Sequence, residues 1–267
     1  MNILETIAAD AREAANSRAA QTPYAILEKS ALFTRETISL SDALADPGAS
    51  GIIAEFKRKS PSKGIINDIK DPAPVVSGYA KAGASAISVL TEQKWFGGSA
   101  DDFTAVRSHV SLPLLRKDFI TSEYHVIESK SIGADIILLI AALMTPAEIR
   151  TLASLARSLG LQTLLEIHSA EELDHITEQI DYVGVNNRNL KDFTVDTGLS
   201  ARLAASLPRD RIWITESGLN KPEEVHSLRE AGFSGFLMGE RFMRHPQPTE
   251  ELENFISELA LLKKTAK

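Results

Sequence analysis

Residues 133–168 read GADIILLIAALMTPAEIRTLASLARSLGLQTLLEIH, and this stretch decides the fold. It opens on a continuous apolar run, DIILLI, and closes on a second, LQTLLEI. A strand whose consecutive positions are all apolar has both faces covered, which is the pattern of a parallel sheet flanked by helices. Between the runs lies an amphipathic segment with a start and a stop. Thr145 can cap it, Pro146 fits its first turn, and Glu148 can reach back to complete a capping box. Gly160 suits the left-handed conformation that closes a helix. Strand, helix and strand therefore follow one another as a βαβ unit.

Working outward from this unit, the same alternation starts at Gly51 and continues towards the end of the chain. The apolar runs are GIIAEF, ASAISVL, LPLLRK, DIILLI, LQTLLEI, YVGVN, RIWIT and GFLMG. Gly83 and Gly232 stand where Gly160 stands, each just before a run, and Ser169 with Glu172 is expected to repeat the capping box. Alternation by itself suits an open sheet as well as a closed one. Eight such units in roughly 200 residues match the size of a (β/α)8 barrel. The reading is an α/β chain with a single TIM barrel over 51–267 and a helical extension over 1–50. In that extension Ile3, Leu4, Ile7, Ala8 and Ala11 recur at helical spacing, which predicts an amphipathic helix packed on the barrel as a lid or flank.

Composition narrows the function. The 267 residues carry 29 lysines and arginines against 36 aspartates and glutamates, a net charge of −7, which disfavours a nucleic-acid or membrane-surface role. An anionic small molecule must then be held by locally placed groups. There is no cysteine, so disulfides and thiolate chemistry are excluded and a cytoplasmic setting is expected. The first twenty residues interrupt their apolar residues with charges and lack the uninterrupted hydrophobic stretch expected of a secretory signal or a membrane span. Histidines 109, 125, 168, 175, 226 and 245 show no paired metal-ligand spacing, so no metal site is expected and a structural or surface role is expected for each. His168 alone shares a strand-end face with Glu166 and borders the expected pocket.

Polar residues interrupt the runs at their carboxyl ends, where a barrel assembles its active site. Strand alternation puts Glu55 and Lys57 on one face and Ala54 and Phe56 on the other. One such pair would read as a structural ion pair. The pattern recurs, with Lys117 ending the third run, Glu166 the fifth, Asn186 and Arg188 following the sixth, and Glu216 closing the seventh. Three carboxylates against three cations form a set able to tune acid and base groups apart. Ser217 and Gly218 follow run seven, and Gly239 and Glu240 follow run eight, the two places where barrels commonly bind phosphate. These residues leave several readings open. They are a phosphate-binding lyase, a sugar-phosphate isomerase, a Schiff-base aldolase with Lys117 as nucleophile, and a barrel that only binds a phosphorylated ligand or a protein.

The segment IIAEFKRKSPSKG, with Glu55, Lys57, Ser60, Pro61 and Ser62, resembles the signature of the indole-3-glycerol phosphate synthases. TEQKWFGGS, LLRKDFI, LLEIH, GVNNRNL, ITESGL and FLMGE follow in that family's order, so the resemblance spans the barrel and takes in the helical extension. It implies conversion of 1-(2-carboxyphenylamino)-1-deoxyribulose 5-phosphate to indole-3-glycerol phosphate, with loss of carbon dioxide and water and without a cofactor. It also implies roles. Lys117 would be the general acid and Glu166 the base, with Lys57 sharing acid duties and Glu55 orienting both lysines. Asn186 and Glu216 would contact the substrate, and Arg188 would shape the cluster. Ser60, Ser217, Gly218 and the amides of Gly239 and Glu240 would hold substrate or phosphate, with the Glu240 carboxylate turned away from it. Phe119 and Leu190 would sandwich the aromatic ring.

Overall fold

The computed structural model describes residues 3–190 and 192–265. Beside a short antiparallel pair in the first loop, Lys59–Ser60 with Gly64–Ile65, the strands of the main sheet are β1 (Ile52–Phe56), β2 (Ala86–Leu90), β3 (Leu114–Lys117), β4 (Ile136–Ile140), β5 (Gln162–Ile167), β6 (Tyr182–Asn186), β7 (Ile212–Glu216) and β8 (Gly235–Met238). Every neighbouring pair is parallel, and β8 closes on β1 with Ile53 opposite Leu237, so the sheet is a barrel without edges. Each apolar run identified in the sequence supplies one strand.

Alternation along the strands divides the apolar residues into two cores. Ile53, Leu115, Ile136, Leu138, Ile140, Leu164, Ile214 and Leu237 point inward and fill the barrel. Phe56, Val89, Leu114, Leu165, Val183 and Phe236 point outward and pack beneath the surrounding helices. The helix Pro146–Ser158 begins with the capping box of Thr145 and Glu148, and Gly83, Gly160 and Gly232 take positive φ where helices end. The second expected capping box is not formed. Residues Ala170–His175 wind as a 3-10 helix whose Ser169 side chain makes no cap, because Glu172 is drawn back to the His168 amide, 2.6 Å away.

Residues before β1 touch both ends of the barrel. Helix α1 (Ile3–Gln21) buries Leu4, Ile7 and Ala11 in the same cluster as the inward-facing strand residues. Asp10 accepts hydrogen bonds from Lys94 Nζ and Trp95 Nε1, both at 2.8 Å, in the loop after β2. Arg18 forms a two-bond pair with Glu128 at 2.6 and 2.9 Å. The chain then crosses to the opposite end, where Leu40 N donates to Gln162 and the Ser41 hydroxyl meets the Tyr182 hydroxyl at the starts of β5 and β6. No helix among the described residues is long and apolar enough to cross a membrane.

Candidate active site

A cavity of about 450 Å³ opens at the carboxyl ends of the strands. Its polar centre is Lys117, placed by the inward face of β3. The ammonium lies 3.1 Å from Glu166 Oε2 on β5 and 3.5 Å from Glu216 Oε2 on β7. Register explains the convergence, since Glu166 sits opposite Gly184 on β6 and Glu216 opposite Asn186 on the same strand. Gly184 leaves the space between them open, because a Cβ there would stand 3.1 Å from Glu216 Oε1. Both carboxylates are buried, at 1% and 2% exposure.

Burial would discharge these groups, and their neighbours decide which of them resist. For Lys117, burial lowers the pKa, but Glu166, Glu216 and Glu55 together outweigh it and hold the ammonium above the ordinary lysine value. For Glu166, burial raises the pKa, but Lys117 and the His168 ring outweigh it and hold the carboxylate below its usual range. Glu216 goes the other way. Burial and the charge of Glu166 push it up to about 8, against a smaller opposing pull from Lys117. One site thus holds a cation, an anion and a proton-bearing acid, the separation that acid–base chemistry near neutral pH requires.

On β1 the pair found in the sequence is made, with Lys57 Nζ 2.7 Å from Glu55 Oε1. Glu55 does not reach Lys117 at ion-pair distance; Glu166 and Glu216 do. Gly239 is what lets Glu55 fit, because a Cβ at 239 would lie 2.8 Å from the Glu55 side chain. On the far wall, Ser217 and Gly218 both take positive φ, 68° and 79°, so successive backbone amides can turn into the cavity and form a nest for an anion. The Glu240 carboxylate is held by Arg188 Nη2 at 3.3 Å and by Arg244 Nη2 at 2.5 Å. Asn186 accepts the Arg188 amide at 3.0 Å, fixing the bend after β6. Ser60, Phe119 and Leu190 line the same cavity, and Phe119 packs against Phe96 with ring centroids 6.0 Å apart.

A family model described as indole-3-glycerol phosphate synthase matches residues 4–256. The chain belongs to the indole-3-glycerol phosphate synthase family. It is 52% identical over 218 residues to the indole-3-glycerol phosphate synthase of Bacteroides thetaiotaomicron, covering 82% of this chain and 84% of that one. It is 42% identical over 261 residues to the synthase of Salinibacter ruber, covering 97% and 96%. Among solved structures, a chain from the tryptophan synthase α2β2 complex of Pyrococcus furiosus superposes with a TM-score of 0.57 at 17% identity, over 79% of this chain and 98% of that one. That likeness concerns the barrel fold alone.

The site residues expected from the sequence all line this cavity, whereas His168, expected to border it, lines a neighbouring cavity instead. Arg244 and Phe96 also line the cavity and are not singled out by the sequence pattern. Arg244 could have been found from its spacing, four residues after Glu240 on the same short helix. Phe96 sits in a loop whose path no periodicity encodes. Glu172, whose spacing suits a helix cap, instead turns its carboxylate to the His168 ring and lines the neighbouring cavity.

Proposed function

We propose that the cavity at the carboxyl end of this barrel closes an indole ring, with Lys117 as acid and Glu166 as base. The family's reaction converts 1-(2-carboxyphenylamino)-1-deoxyribulose 5-phosphate to indole-3-glycerol phosphate, a carboxy-lyase step of tryptophan biosynthesis. The observation that carries the residue assignment is the half-buried Lys117 ammonium held between the buried carboxylates of Glu166 and Glu216. An ammonium held charged by carboxylates is a proton donor and a poor nucleophile, which favours acid catalysis over a Schiff base.

In this reading the phosphate rests against Ser217, Gly218 and the amides of Gly239 and Glu240. The carboxylate of Glu240 is withheld from it by Arg188 and Arg244. Phe119 and Leu190 flank the aromatic ring, and Ser60 contacts the substrate from the first loop. The ring carbon bearing the carboxylate attacks the ribulose carbonyl carbon, and the carbonyl oxygen takes a proton from Lys117. Carbon dioxide leaves, returning its bonding pair to the ring. The new hydroxyl then departs as water with a proton from Lys57, or from Lys117 once solvent has reprotonated it, while Glu166 removes a proton from the adjacent carbon. Asn186 and Glu216 meet the substrate hydroxyls, and Glu55 aims Lys57. Residues 51–267 form the catalytic domain, and residues 1–50 are its extension.

Formation of indole product, followed by absorbance or fluorescence, tests the assignment. The wild-type chain turns over, and Lys117→Ala and Glu166→Gln remain folded but lose roughly 100-fold or more in kcat. A folded wild-type chain that makes no indole product overturns the reading.

A further inference from the structure

Lys117 lies between two buried carboxylates at similar distances, 3.1 and 3.5 Å. One ammonium does not neutralise both, and crowded like charges in a buried site share protons until one partner is neutral. Lys117 alone does not choose between them. The asymmetry lies on the far side of Glu166, where His168 brings Nε2 to 3.2 Å from Glu166 Oε1 and Nδ1 to 3.5 Å from Glu172 Oε2. Neither ring nitrogen makes a hydrogen bond among the described residues, so both contacts are approaches of opposite charges at ion-pair distance. Glu172 fixes this histidine twice, since its carboxylate also accepts the His168 amide at 2.6 Å.

Glu216 has no counterpart to this arrangement. Its Oε1 is buried without a hydrogen-bond partner among the described residues, and it faces the bare position of Gly184. Other groups on packed elements add smaller contributions in the same direction, since Glu55 on β1 raises Glu216 and the Asn186 side chain on β6 lowers Glu166. Lys117 and Glu216 pair with each other and with the Glu166 side of the cluster, not with His168, and Asp196 lines the neighbouring cavity onto which His168 and Glu172 also open.

We propose that His168, braced by Glu172, is the positioning residue that makes Glu166, rather than Glu216, the ionised carboxylate at Lys117. The proposal rests on the reading of Glu166 as the base. Its consequence is that Glu216 carries a proton and can donate a hydrogen bond to a substrate hydroxyl. The electrostatics agree, because burial would discharge His168 but Glu166 and Glu172 outweigh it and raise the ring to about 9. The imidazolium therefore persists through neutral pH.

The test is the pH dependence of kcat for wild type, His168→Gln and Glu172→Gln. One pKa unit is a tenfold change in protonation, so His168→Gln is expected to lose about tenfold at pH 6 and to recover to within about threefold of wild type at pH 8.5. Glu172→Gln is expected to move the acid limb in the same direction by less. A uniform loss across pH, or an unmoved acid limb, overturns the proposal. If His168→Gln does not fold, the same displacement is required of Glu172→Gln, in which the ring is retained.

A second readout is the carboxyl-carbon NMR titration of Glu216, assigned by its disappearance in Glu216→Gln. It is expected near pH 8 in wild type and lower in His168→Gln; a titration unchanged between the two overturns the proposal. If Glu166→Gln keeps wild-type activity, the base reading fails, and this titration still decides the charge assignment.

Discussion

Arg116 and Lys117 are adjacent on one strand, yet each enters a different buried cluster. Arg116 points outward, where all its donors find partners. Nε meets Thr91, Nη1 meets Ser129 and the His125 carbonyl, and Nη2 meets Asp118 and Glu128. Glu128 is shared with Arg18, and Asp118 also accepts the Phe119 amide. Lys117 points inward to a cluster in which Glu216 Oε1 and both His168 nitrogens lack a hydrogen bond among the described residues. Burial and ion pairing are common to both. What separates the cluster proposed as catalytic from the structural one is unsatisfied hydrogen-bonding capacity.

The contrast is most sharply tested by exchanging the kind of damage done at the two positions. Arg116→Met is expected to cost about 3–5 kcal/mol in a denaturant titration, since it leaves Asp118 and Glu128 buried without their cation. Its folded fraction should keep kcat within about threefold of wild type, well short of the roughly 100-fold loss expected from Lys117→Ala. A similar stability cost for both variants would remove the distinction.

A smaller effect sharpens the inner half of the comparison. Glu216 binds a proton in the folded state up to about pH 8, whereas an unfolded glutamate releases it near the ordinary carboxylate value. The folded chain therefore holds more protons across this window, and stability falls as pH rises from about 4.5 to about 8. Glu216→Gln removes that dependence, so its stability relative to wild type should rise over the same range in thermal melts. A constant difference across pH would mean that Glu216 is ionised throughout. Smallest of all, Arg18→Ala should cost no more than about 1 kcal/mol, because its half-exposed guanidinium shares Glu128 with Arg116.

Much of this division was legible in the sequence. The run LLRK at the end of β3 places neighbours on opposite faces, so either Arg116 or Lys117 had to point inward. The lysine's membership of the site followed from the carboxylates at matching positions on other strands. Glycine positions were legible for the same reason, because Gly83, Gly160 and Gly232 each close a helix just before a strand. Contacts between side chains from separate loops were not. The sequence pattern of Ser169 and Glu172 suits a capping box, but the chain turns too tightly after β5 and Glu172 serves His168 instead. Nor does any local pattern tell that Glu240 will be shared by Arg188 and Arg244.

The extension before β1 has a consequence for the order in which the chain takes shape during synthesis. Its anchors lie far downstream, with Asp10 waiting for Lys94, Arg18 for Glu128 and Ser41 for Tyr182, separations of 84, 110 and 141 residues. Loops of that span close late compared with the local strand–helix units. The extension is made before the barrel yet is among the last parts to dock, and its apolar stripe of Leu4, Ile7 and Ala11 stays uncovered until more than half the barrel has emerged.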